Sequence, residues 1–163
     1  MNTTAIQGSG DEAGSMRRLV LLLVLLGIVG LALELVFLEH TEDFLQWIPL
    51  AALAAGLASG AVAALRPSPL AVRVFRTIMG LFVAAGLLGL YLHYLSNVEF
   101  ELESDPALRG VDLVWRSLTG ATPALAPGAL AQLGLLGLLY AYRHPALRRF
   151  PATSGDTSLP EER

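Results

Sequence analysis

Glu34, His93 and Gln132 are polar side chains set within or at the ends of otherwise apolar runs, and chemistry is expected first at such residues. Glu34 lies sixteen positions after Arg18. At 1.5 Å per helical residue that is about 24 Å, the outer third of a hydrocarbon layer ~30 Å thick. A charge at mid-bilayer costs about 3 kcal/mol on insertion scales, so an intramembrane carboxylate marks a ligand or proton site by default. The plainer alternatives are that Glu34 reaches up to the interface or is kept protonated by desolvation. With His93 and Gln132 toward the same end, the three form one candidate ligand or proton site.

Glu39, His40, Glu42 and Asp43 follow closely in a short acidic link. Imidazole and carboxylates together suit Zn, Mn or Fe, and equally a proton relay. Glu39 and Asp43 would share a helical face at i, i+4, although the spacing matches no specific zinc motif. A solvated acidic rim is the plainer reading. A divalent metal is the cofactor these residues could hold. Haem between His40 and His93 is disfavoured, because only two outer histidines are present and one lies in a loop. No basic residue falls in the outer half of any apolar run. A charge partner for Glu34 must therefore come from Arg109 or Arg116, seven positions and nearly two turns apart on one face. Arg116 is favoured because Trp115 beside it would anchor that end at an interface.

Missing residue types exclude several chemistries. There is no Cys, so disulfides, thiolate metal sites and iron–sulfur ligation are out. There is no Lys either, which removes Schiff-base chemistry and a P-loop. Ser59, in Gly56-Leu57-Ala58-Ser59-Gly60, suggests a membrane serine nucleophile. It sits about 18 Å inward from Trp47, while His40 and His93 are outer, so no Ser–His pair forms. His144, between Arg143 and Pro145, reads as an interfacial residue. No nucleophile and base can be paired, so a membrane enzyme is kept only as a third and less favoured reading.

These residues are positioned by a chain of 163 residues that is 54% hydrophobic and 15% charged, with a mean hydropathy of +0.58. That composition nearly rules out a water-soluble globule. Four apolar runs of about 20 residues match the length that crosses a bilayer. The expectation is an all-α integral membrane protein, a four-transmembrane-helix bundle with an outer amphipathic surface helix. The spans fall at about 19–38, 46–65, 74–95 and 123–142, with an outer connection at 97–121, inside a membrane domain at 17–149. Segments 1–16 and 150–163 are expected to be disordered cytoplasmic tails. The first apolar run is longer than a signal-peptide core and has no A-x-A site after it, so it reads as a span.

Arg17 and Arg18, then Arg66, Arg73 and Arg76, then Arg143, Arg148 and Arg149 fall on one side of an even number of crossings. The positive-inside rule puts both termini in the cytoplasm, with a bacterial cell inner membrane as the expected location, and leaves Trp47, Tyr91, Tyr94 and Trp115 as an outer aromatic belt.

In the outer connection, Val98, Phe100 and Leu102 alternate with Glu99, Glu101 and Glu103, as in a half-buried extended segment. From Ser104 as N-cap, Leu108, Val111, Trp115 and Leu118 recur at helical spacing. That helix would lie on the surface as a brace or lid. The pairs Gly27 with Gly30, Gly56 with Gly60, and Gly134 with Gly137 permit close helix approach. Pro127 should distort the start of the fourth span, whereas Pro123 suits a first turn.

Two functions follow from different classes. One is the binding or passage of a cation or proton through an outer polar cavity. The other is a structural or accessory subunit of a membrane complex with no ligand of its own. Partners are then the lipid bilayer and a homo-oligomer or larger membrane complex, with no nucleic acid. A lone carrier of four helices without an inverted repeat would have to be oligomeric.

Overall fold

The computed structural model describes residues 3–38, 47–120 and 125–148. Among them there is no strand. Five helices follow one another: α1, Thr3–Phe37; α2, Trp47–Leu65; α3, Pro69–Ser104; α4, Gly110–Leu118; and α5, Leu125–Ala141. A single 3-10 turn, Pro145–Arg148, closes the described chain. Three stretches, Glu12–Phe37, Trp47–Leu65 and Pro69–Ser104, are long and apolar enough to cross a membrane, and α5 supplies a shorter apolar helix.

The apolar runs become helices because Leu, Ala and Met are good helix formers. Between α2 and α3 stand Arg66, Pro67 and Ser68. Ser68 is the N-cap of α3, its Oγ accepting from the Ala71 N–H at 3.1 Å, and Pro69 occupies the first helical turn, where its missing N–H costs nothing.

The four long helices close into a ring. α1 packs against α2 and α5, α2 against α3, and α3 against α5, while the backbones of the two diagonal pairs stay apart. Side chains fill the middle, with Val24, Ile28, Leu53, Phe75, Met79 and Phe82 fully buried. Phe75 meets Tyr140 edge to face at 5.5 Å between centroids, and the Tyr140 hydroxyl crosses the diagonal to donate to the Ala63 carbonyl at 3.5 Å.

Helices α3 and α5 approach most closely. A Cβ placed on Gly86 would lie 2.6 Å from the Ala131 nitrogen and 2.6 Å from the Pro127 oxygen, and one on Gly134 would lie 2.6 Å from the Met79 oxygen. Of the glycines singled out above, Gly56 and Gly60 pack against Phe82 and Phe75, Gly27 packs against Leu133, and Gly30 faces open space.

The structure departs from the sequence reading in several places. The segment expected as a disordered tail is helical from Thr3 onward, because once an apolar helix is nucleated each added residue gains a hydrogen bond and Ala, Gln, Glu and Met support it. The Val98–Glu103 alternation lies within α3, which continues to Ser104. Six residues of alternation are too short to fix a period, and Leu, Glu and Phe continue a helix that α4 then packs against.

Ser104 is consequently the end of α3, its Oγ donating to the Phe100 carbonyl at 3.0 Å, and is not a cap for the next helix. Asp105 forms the turn instead, its Oδ1 accepting from the Ala107 N–H at 3.1 Å. α4 then starts at Gly110, whose φ of 61° lies in the left-handed region that glycine tolerates.

The apolar stripe of α4 also splits. Leu108, just before the helix, is buried, whereas Val111, Trp115 and Leu118 are exposed. Pro127 is the third described residue of α5. Pro123 lies outside the described residues.

Candidate functional site

Glu34, His93 and Gln132 are not gathered into one pocket. Glu34 and Gln132 are both exposed, while His93 is half-buried. Since Gly86 packs on Ala131, His93 lies seven residues beyond the level of Gln132's neighbour, about 10 Å farther along the bundle. Glu34 stands on α1, diagonally across the ring from α3, with no backbone approach between those helices.

Glu34 lies on the α1 stripe that includes Gly27, two turns below. Gly27 packs against Leu133 of α5, so Glu34 flanks the α1–α5 seam. Gln132 lies on the outer surface of α5, between Ala131 on the α3 side and Leu133 on the α1 side.

Arg116 and Arg109 are not brought to Glu34. Arg116 Nη1 lies 3.9 Å from Glu101 Oε2, with the Glu101 side chain only 17% exposed, the one ion pair within 4.0 Å among the described residues. Arg109 donates from Nη1 to the carbonyls of Pro106 and Leu108, each at 3.0 Å. The reason is topological: α4 folds back on the extended end of α3 and makes no contact with α1.

Among the described residues no group of three or more His, Asp or Glu could hold a metal. Glu39, His40, Glu42 and Asp43 lie outside the described residues. Ser59 is buried with its hydroxyl donating to the Gly56 carbonyl at 3.1 Å, a helix-internal bond rather than a nucleophile's.

Sequence reasoning passed over two polar positions, Asn97 and Ser117. Asn97 is buried, and its Nδ2 donates to the Ser117 carbonyl at 3.0 Å, which fastens α4 to α3. Gly120 closes over the same side chain, since a Cβ there would lie 2.8 Å from Asn97 Cγ. Nearby, Ser117 Oγ is buried without a hydrogen-bond partner, and so is His93 Nδ1, one turn before Asn97 on α3. The available signal was Asn97 at i+4 from His93, a polar face on one helix.

At the opposite end, His144 is buried, which corrects its reading as an interfacial side chain. Pro145 starts a 3-10 turn that folds back against α3, and the Ala146 N–H donates to His144 Nδ1 at 3.2 Å. Arg17 reaches over from α1 and donates to the carbonyls of Tyr142 at 3.5 Å and Arg143 at 3.3 Å. A cation on the last carbonyls of α5 complements the negative end of that helix. Arg143 itself has φ 50°, a left-handed residue ending α5 where glycine is commoner.

Burial holds the His144 pKa below its ordinary value of 6.5, and the Arg17 charge lowers it further. The neutral imidazole is thus the folded form. The unfolded chain binds this proton more readily, so the contribution of His144 is complete above pH 6.5 and is lost as pH falls through the lower folded value. Thermal melting of the purified protein should therefore fall between pH 7 and pH 5, and His144→Gln should reduce that slope. An unchanged slope would mean that His144 carries none of it.

The fold and this geometry define an all-helical protein with three helices long and apolar enough to cross a membrane. No protein-family model, curated protein or solved structure matches the chain.

Proposed function

We propose that the chain is an integral membrane protein crossing the bilayer four times, with its arginine-bearing ends in the cytoplasm, and that it serves as a structural or accessory subunit of a membrane assembly. The observation that carries this reading is Gln132, exposed on the outer face of α5 one position from the middle of that helix. α5 has 17 residues, about 26 Å of helix, which approaches the ~30 Å hydrocarbon thickness. An amide held there against lipid would leave two donors and an acceptor unsatisfied, whereas a second helix satisfies them and gains up to about 1–2 kcal/mol. Glu34, exposed on α1, adds a second polar group whose cost in lipid favours a protein neighbour.

The test is the mass of the particle extracted in mild detergent, measured by light scattering after size exclusion. The wild-type chain should run in a particle whose protein mass clearly exceeds the 17.3 kDa of one chain, and Gln132→Leu should shift it toward the single chain. A wild-type particle containing one chain alone would defeat the reading.

A second reading, binding of a cation or proton at the outer end, draws support from His93, whose Nδ1 is buried without a partner. Stoichiometric zinc, manganese or iron in the purified protein, lost in His93→Ala, would favour it over the subunit reading.

A further inference from the structure

At the arginine-bearing end a cavity of about 450 Å³ opens between α1, the end of α2 and the turn after α5. Arg17, Arg18 and His144 line its polar part, Leu21, Leu22 and Leu25 its apolar part, and no carboxylate takes part in the lining. Arg17 uses one nitrogen, Nη2, to hold the carbonyls of Tyr142 and Arg143, which leaves Nη1 and Nε. His144 accepts at Nδ1, so its neutral ring carries the proton on Nε2 and presents a donor.

We infer that this cavity seats the phosphate group of an anionic phospholipid. Two guanidinium groups and an imidazole N–H form a donor set suited to a tetrahedral oxyanion. The leucines of α1 continue from those donors along the same helix, so a ligand with a charged head and methylene chains matches both halves of the lining. The negative end of α5 opposes an anion here, but Arg17 already covers its last carbonyls and reverses the local sign. Basic pockets between membrane helices on the cytoplasmic side recognise lipid phosphates in this way. The phosphate chemistry follows from the cavity alone; its lipid source rests on the membrane reading above.

The experiment uses the full chain in a neutral detergent, titrated separately with dioctanoyl phosphatidylglycerol, dioctanoyl phosphatidylcholine and inorganic phosphate. Native mass spectrometry gives occupancy. Phosphatidylglycerol should bind on the order of tenfold more tightly than phosphatidylcholine, whose choline cancels the charge. Arg18→Gln should abolish that preference, and Arg73→Gln, an exposed arginine outside the cavity, should keep it. Because Arg17 also anchors α5, Arg18→Gln is the deciding variant.

Equal binding of the two lipids, or a preference that survives Arg18→Gln, would overturn the proposal. Inorganic phosphate binding as tightly as phosphatidylglycerol, and still dependent on Arg18, would overturn the lipid assignment while leaving an anion site. Neither result bears on the number of crossings, which is read separately by thiol labelling.

Discussion

Gly86→Val should be among the most damaging single substitutions in this chain, and even Gly86→Ala should lower the melting temperature clearly. The ideal Cβ at this position would sit 2.6 Å from two backbone atoms of α5, the Ala131 nitrogen and the Pro127 oxygen. Backbone cannot rotate out of the way as a side-chain tip can, so α3 and α5 must separate. That separation would also loosen the approach of Gly134 to the Met79 carbonyl. Overpacking of this kind costs about 1–3 kcal/mol, more when backbone must move. Gly30 provides the control, because nothing lies within 4 Å of a Cβ placed there. Gly30→Ala should be neutral or stabilising by about 0.5–1 kcal/mol through helix propensity. Melting of Gly86→Ala at the wild-type temperature would show that the α3–α5 approach is looser than described.

The second large effect is expected at Asn97. Its Nδ2 bond to the Ser117 carbonyl is buried, and Asn97→Leu would leave that carbonyl without this donor in a place water reaches poorly. The cost of such an orphaned group is about 1–3 kcal/mol. The loss should fall on α4, because Asn97 and the Arg116–Glu101 pair, half exposed on the arginine side, are its polar ties to α3. Surface pairs contribute little, so Asn97 dominates. Hydrogen exchange of Gly110–Leu118 amides should accelerate by about ten- to a hundredfold in Asn97→Leu, with α1, α2 and α5 unchanged. Equal acceleration everywhere would mean global destabilisation, and none would remove Asn97 as the tie.

The apolar runs read directly as helices because their length and composition answer one physical demand, and the three longest appear where hydropathy puts them. Glycine positions were only partly legible. Gly56 and Gly60 do meet neighbouring aromatic rings, yet Gly30 meets nothing, while Gly86, which makes a backbone-to-backbone contact, pairs with Gly89 only at the same three-residue spacing as Gly27 with Gly30. Spacing along one helix says which residues share a face but not which helix that face meets.

The end of α3 was misread for a related reason. Val98–Glu103 carries a two-residue alternation, but a tertiary partner, α4 clasped by Asn97, decides in favour of helix. His144 was read as interfacial because its burial comes from a turn that folds the chain back, which composition does not record.

At the candidate site, residue type and depth along a helix were legible, whereas direction was not. Glu34 and Gln132 point outward, and that outward direction shifts the favoured reading from an internal cavity to a contact with another chain.

Everything proposed for function depends on four crossings with both ends on one side. Because the chain has no cysteine, single thiols placed at Ser9, Ser104 and Ser158 can be challenged in intact cells with a membrane-impermeant reagent. Ser104→Cys, at the end of α3, should label fully, while Ser9→Cys and Ser158→Cys should label only after the membrane is opened. Labelling of either terminal position in intact cells, or protection of Ser104→Cys, would contradict the four-span arrangement with cytoplasmic ends.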